Sequence, residues 1–317
     1  MRTRRPSRWL AIPVVGVVTL ALAGCTQEQL QGWLPSTPGV TNHVDRIVGL
    51  WVTSWIVLLA VGVITWGLML WAGIAYRRRK GQTGFPVQLR YNMPIEVFFT
   101  VVPVILVVGF FAFTARDQAA IEEPYDDPDV SITVYGKRWA WDFLYETQQD
   151  QNGDAQQAVY FQGIQGQEIE GGGVETDELP TLYLPVNSTI EITLESRDVA
   201  HSFWIVDFLY KKDTLPGVTN HFYFETGDVE GVFQGKCAEL CGEYHSLMLF
   251  QVEVVSQAEY DAYLESLDAE GNVLSNPDDI EQFGQGLNPV TNPANQVGGS
   301  ESGEDSTPEA PADQEGE

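Results

Sequence analysis

The chain has 317 residues, with 44 acidic against 17 basic side chains, a formal net charge of −27 and 44% hydrophobic content. That charge repels nucleic acid and other acidic partners and attracts cationic ones over a Debye length. Length alone would allow two domains, but most of the hydrophobicity falls in three apolar runs before residue 116.

The first run follows the basic segment Met1-Arg-Thr-Arg-Arg-Pro-Ser-Arg8 and ends Leu22-Ala-Gly-Cys25. A basic n-region before a short apolar h-region is the layout of a secretory signal, and its end looks like a bacterial lipobox. Residues 1–24 are then a lipoprotein signal peptide, and Cys25 is lipidated as the mature N-terminus outside the cell membrane. The other reading is an ordinary signal peptide or short membrane helix with an incidental Cys.

Residues 25–116 comprise an N-terminal segment and a two-helix transmembrane hairpin. The second apolar run, about 47–76, exceeds the roughly 30 Å hydrocarbon core at about 1.5 Å per residue. It stops at Arg77-Arg-Arg-Lys80, which the positive-inside rule places in the cytoplasm. The third run, about 93–115, spans back out and leaves the rest of the chain on the outer face. Pro103 is tolerated there because neighbouring groups re-satisfy the backbone. Glu96 is an intramembrane carboxylate, hence a functional-site candidate, unless it is a hydrated interfacial residue.

Residues 117–317 hold 41 Asp and Glu against 6 Lys and Arg, and no Lys or Arg follows Lys236. Short β-branched and apolar runs at 131–135, 139–145, 181–186, 189–194, 202–207, 222–226 and 247–255 are separated by Gly, Pro, Asn and Asp. They predict an all-β Greek-key sandwich or barrel. Between them, residues 148–178 read as an acidic, Gly-rich insertion. Ser256-Gln-Ala-Glu259 forms a capping box, and a short helix closes the outer domain, 117–267. The composition of 268–317 is that of a disordered acidic tail.

The loop Cys237-Ala-Glu-Leu-Cys241-Gly-Glu-Tyr-His245-Ser-Leu-Met248 carries two thiols, an imidazole and a thioether. This soft donor set selects copper. One copper of the blue type needs a single Cys, whereas two Cys four apart can bridge two coppers. A second imidazole must then come from elsewhere, and His201 in Asp198-Val-Ala-His201-Ser is the best candidate. A disulfide or half of a zinc site are the competing readings of the two Cys.

The pattern C-x-E-x-C-x3-H-x2-M with its upstream D-V-x-H-S resembles the binuclear copper (CuA) site of cytochrome c oxidase subunit II. The resemblance implies a cupredoxin-like domain in which Cys237 and Cys241 bridge two copper ions and His201 and His245 are the imidazole ligands. Met248 and the Glu239 carbonyl are then the weak ligands, and the Glu239 carboxylate faces a magnesium ion shared with subunit I. In Gly136-Lys-Arg-Trp139-Ala-Trp141, Trp139 resembles the family's electron-input residue, although Ala140 stands where Tyr is frequent; a Trp pair in the core is the alternative. Asp198 is a docking carboxylate for the donor, and Glu96 lies at the mouth of a proton pathway. Lys211, Asp213 and Leu215-Pro-Gly217 resemble a segment that contacts subunit I. His43 and His221 match no ligand position.

The function so implied is electron input from cytochrome c, soluble or membrane-tethered, to the haem of subunit I. Oxygen reduction and proton translocation belong to its partner, subunit I, and subunit III is a further partner. The alternatives are a quinol oxidase subunit II, or a non-catalytic lipid-anchored structural or assembly protein.

Overall fold

The computed structural model describes residues 26–284 apart from 86, 87, 89, 150–152 and 170–172. The expected signal peptide 1–24, the expected lipidation site Cys25 and residues 285–317 lie outside the described residues. A four-residue turn, α1 (Gln27–Leu30), is closed by a capping box from Thr26. Two long helices follow, α2 (Val44–Ala75) and α3 (Met93–Ile121), with mean hydropathies of 2.4 and 2.5 in their most apolar windows. Both are long and apolar enough to cross a membrane, and their apolar side chains are exposed in the isolated chain. Each runs beyond its apolar run, α2 by starting at Val44 and α3 by continuing to Ile121. The extra turns carry the polar contacts that join the helices at one end: Asp117 Oδ1 accepts from Arg46 at 3.3 Å and from Arg116 at 3.0 Å.

The β domain is two facing sheets. The six-stranded sheet contains β1 (Val130–Lys137), β2 (Ala140–Gln149), β3 (Ala155–Gln162), β5 (Thr189–Ser196), β8 (Asn220–Glu225) and β11 (Val273–Leu274). The five-stranded sheet contains β4 (Thr181–Pro185), β6 (His201–Ile205), β7 (Tyr210–Thr214), β9 (Gly231–Cys237) and β10 (Leu249–Val255). Their orders are β11-β3-β2-β1-β5-β8 and β4-β10-β9-β6-β7. Among the described strands, β1–β5 and β10–β4 pair in parallel. Inward residues alternate along β5 and β10, as a half-covered strand requires. Between the sheets Phe203 and Phe250 stack at 4.6 Å, with the Trp141 ring edge-on to both.

Two expectations need correction. The stretch 148–178 is not a featureless insertion: β3 lies within it and pairs antiparallel with β2, through register shifts near Gln148. Its Gln residues conceal a strand whose Ala158, Val159 and Tyr160 are buried; packing, not propensity, makes it β. Nor does order end at residue 268. Helix α4 (Gln257–Ala269) is followed by β11 and by α5 (Pro277–Gly284). Phe283 on α5 is buried against Tyr135 and Tyr160 on the outer face of the six-stranded sheet. With both faces covered, Ala140 to Tyr145 on β2 are all buried. The strand expected over 202–207 starts at His201 and stops at Ile205, where a 3-10 turn and Leu209 at φ 58° reverse the chain.

Candidate metal centre

One end of the sandwich carries the loop between β9 and β10. Cys237 is the last residue of β9, and Met248 directly precedes β10. The loop is closed by Cys237 N–H donating to Met248 O at 3.0 Å and by a 3-10 turn over His245–Leu247. His201 opens β6, which pairs with β9 and so sets the ring beside Cys237. Sheet pairing therefore joins the loop to a residue far away in sequence.

The donor atoms converge. Cys237 Sγ lies 3.8 Å from Cys241 Sγ, 3.9 Å from His201 Nδ1 and 3.1 Å from the Glu239 carbonyl oxygen. Cys241 Sγ lies 3.5 Å from His245 Nδ1 and 3.7 Å from Met248 Sδ. Both thiols are free. His201, Cys237 and Cys241 are buried, with ligand atoms within 4.8 Å of one another, and Met248 is buried as well. Two sulfurs face each other, each with one imidazole and one weaker donor. This set fits soft-metal binding, and the disulfide of the alternative reading is not formed.

The two thiols titrate in opposite directions. Burial would raise the Cys237 thiol, but the His201 ring and nearby backbone groups hold it below its ordinary value. Burial and the neighbouring Cys237 push Cys241 up. Burial likewise opposes charge on His201, yet Asp198 and Cys237 raise its pKa.

Asp198 has surroundings that the sequence reading did not anticipate. Its Oδ1 accepts from His201 Nε2 at 2.8 Å and from Val199 N at 2.6 Å. Its Oδ2 accepts from Arg138 N at 2.8 Å and Arg138 Nε at 3.3 Å. Burial would raise this carboxyl, but these donors hold it down at about 2. The Asp198 carboxylate thus fixes the orientation of the His201 ring, as a carboxylate behind a metal-binding imidazole does.

Trp139 is half-buried against the loop. Its Nε1 donates to Cys241 O at 3.1 Å, its ring meets Tyr244 edge-on at 4.9 Å, and a Cβ on Gly242 would come within 3.1 Å of it. Trp141 is a core residue whose Nε1 donates to Met248 O at 3.4 Å. Glu239 is exposed and presents its carbonyl, not its side chain, to Cys237. Glu96 lies far from this centre in the fold, in the first turn of α3, and its Oε1 accepts from Asn92 N at 3.1 Å. Lys211 and Asp213 lie on β7. His43 contacts Tyr223 O at 2.9 Å, and His221 pairs with Glu191 at 3.0 Å.

Sequence reasoning missed Gly136 and the cations around the site. A Cβ on Gly136 would lie 2.9 Å from His201 Cδ2, so only glycine lets the ring pack there. The usable signal for the cations was scarcity: four of the six basic residues after Asp117, namely Lys137, Arg138, Arg197 and Lys212, pair with carboxylates.

Residues 130–255 match the family model described as cytochrome C oxidase subunit II, periplasmic domain. A probable cytochrome c oxidase subunit 2 of Streptomyces avermitilis is 41% identical over 309 residues, covering 91% of this chain and 96% of the relative. The cytochrome c oxidase subunit 2 of Corynebacterium diphtheriae is 31% identical, covering 79% and 82%. The solved periplasmic domain of subunit II of cytochrome oxidase from Bradyrhizobium japonicum is 29% identical, covering 45% of this chain and 96% of that one, with a TM-score of 0.37. The quinol-oxidase and structural-protein alternatives find no support in these comparisons. With two helices able to span a membrane and a periplasmic-type β domain beside them, the chain belongs to the cytochrome c oxidase subunit II family, a component of an oxidoreductase.

Proposed function

We propose that this chain receives electrons from cytochrome c at a binuclear copper centre held by Cys237, Cys241, His201 and His245. Met248 and the Glu239 carbonyl are the weak ligands. The observation that carries the reading is the donor geometry: Nδ1 of each histidine faces one sulfur, at 3.9 and 3.5 Å, and the two sulfurs face each other at 3.8 Å. Copper held by these residues would supply a one-electron couple.

The chain's own residues then divide the work. Strands β6, β9 and β10 hold the donors in place, which limits rearrangement. Asp198 holds the His201 ring with Nδ1 toward Cys237. Trp139 bridges the outer surface and the Cys241 carbonyl, a contact suited to electron input. The acidic domain surface attracts a donor with a cationic face. Subunit I takes the electron onward through its haem, with subunit III in the same complex, and the Glu239 carboxylate is free to serve a magnesium ion shared with subunit I.

The cupredoxin-like Greek-key description, the signal peptide 1–24, the lipidated Cys25 and the outer-face orientation belong to this same reading. So does Glu96 at the mouth of a proton pathway, although its capping of Asn92 already accounts for the carboxylate locally. Metal analysis and the visible spectrum of the purified full-length chain test the proposal. Two coppers per chain and a mixed-valence purple spectrum are expected. Stoichiometric zinc, or a single copper with a blue spectrum, would refute it.

A further inference from the structure

The copper reading leaves unused the buried ionic cluster around Asp142. Asp142 on β2 is fully buried, and its carboxylate pairs with Lys137 at 2.8 Å, accepts from the Gly163 amide at 2.9 Å and pairs with Arg197. A buried carboxylate facing two cations satisfies its charge, but the cover over it comes from an unexpected place. The Arg197 guanidinium packs against both the Tyr135 and the Phe283 ring, at 4.8 and 4.7 Å, and its Nη2 donates to the Phe283 carbonyl at 2.9 Å. Phe283 is on α5, the last described helix, and Arg197 directly precedes Asp198.

We propose that α5 is a clamp for the metal centre, acting through Arg197 as a positioning residue. Three contacts carry the argument, which rests on the copper reading above. Arg197 N donates to Gly136 O at 2.9 Å, fixing its backbone to the strand whose glycine already touches the His201 ring. One residue on, the Asp198 carboxylate holds His201 Nε2. On the far side, the guanidinium is pinned by α5 and Asp142. Movement of the Arg197 side chain is therefore passed to Asp198 across a single peptide unit.

A plain structural role for α5 predicts something different. Phe283 belongs to a small apolar cluster with Tyr135, Leu144, Ala158, Tyr160 and Leu274, separate from the core between the sheets. As a cover alone, α5 would influence that cluster and leave the ligand loop untouched. As a clamp, it acts on residues 198–201 while the inter-sheet core stays intact.

The test uses the full-length chain in detergent with Phe283→Ala, Phe283→Tyr, a chain ended after Asn276, and a control ended after Gly284. Amide hydrogen exchange is measured on metal-free protein, and copper release to a chelator and the reduction potential on copper-loaded protein. Phe283→Ala and the chain ended after Asn276 are expected to speed exchange at 198–201 and copper release by about tenfold, the lower range for losing a supporting contact of a metal ligand. The potential should shift as well. Phe283→Tyr and the control should match the wild type, and strands β5 and β10 should keep their protection. Wild-type exchange at 198–201 in both disabled variants would overturn the clamp, and so would protection lost across β5 and β10 together. A wild-type chain that binds no copper would refute the copper reading, while the metal-free exchange comparison would still decide the clamp.

Discussion

Replacing Asp198 by Asn separates two roles for one side chain. As a docking carboxylate, Asp198 would act through the field it presents to a cationic donor. As a support, it acts through His201. The structure gives the carboxylate four donors, with His201 Nε2 at 2.8 Å, Val199 N at 2.6 Å, and Arg138 N and Nε at 2.8 and 3.3 Å. Only 22% of its side chain is exposed, and Arg138 offsets its charge. Asn fills the same volume but loses the charge, and its NH2 group would face the Arg138 donors. Charge-assisted hydrogen bonds contribute roughly 1.5–3 kcal/mol, and losing a support of a ligand imidazole costs about 10–100-fold in metal affinity. Asp198→Asn should therefore weaken copper binding by that factor in a competition titration. Stopped-flow association with reduced cytochrome c, measured across ionic strength on fully loaded protein, should keep nearly the wild-type salt dependence. Unchanged copper affinity together with a weakened salt dependence would refute the argument and return Asp198 to docking.

The remaining predictions follow from the same geometry. Cys237→Ser or Cys241→Ser should abolish the two-copper spectrum and oxidase turnover while circular dichroism stays that of the β domain, because a hydroxyl is a poor copper ligand; normal turnover in either would show the site is misassigned. Met248→Leu, a volume-conserving change at a fully buried position, should cost less than about 1.5 kcal/mol in stability yet shift the reduction potential, and an unaltered potential would make Met248 a packing residue only. Trp139→Ala removes the donor to Cys241 O and should slow electron transfer within the donor complex more than it weakens binding, as read by single-turnover kinetics against affinity. Ending the chain after Gly284 removes seven acidic and no basic residues; the association rate at physiological salt should stay near wild type, since charges beyond about 8 Å are screened, and a collapse of that rate would place docking in the tail.

Much of this protein is written locally in the chain. The two spanning helices follow from composition alone, because about 20 consecutive apolar residues have few other stable fates. The ligand loop is local too: four of its donors fall within the twelve residues from Cys237 to Met248, so their identity and spacing are legible before any fold is known. The capping box at Ser256 and the helix after it are equally local, and the structure forms both.

What the tertiary structure alone decided depends on contacts distant in sequence. The pairing of β6 with β9 brings His201 to Cys237, and parallel pairing of β1 with β5 sets Gly136 opposite Ser196, which places the Lys137–Arg138 turn beside Arg197 and Asp198. No local pattern encodes those partners, so Asp198 read as a surface charge although it is held by His201 and Arg138. In the same way, β3 lies in Gln-rich sequence and α5 in acidic sequence. They are ordered because Tyr160 and Phe283 bury each other's rings against the outer sheet, and that burial exists only once the sheet has formed.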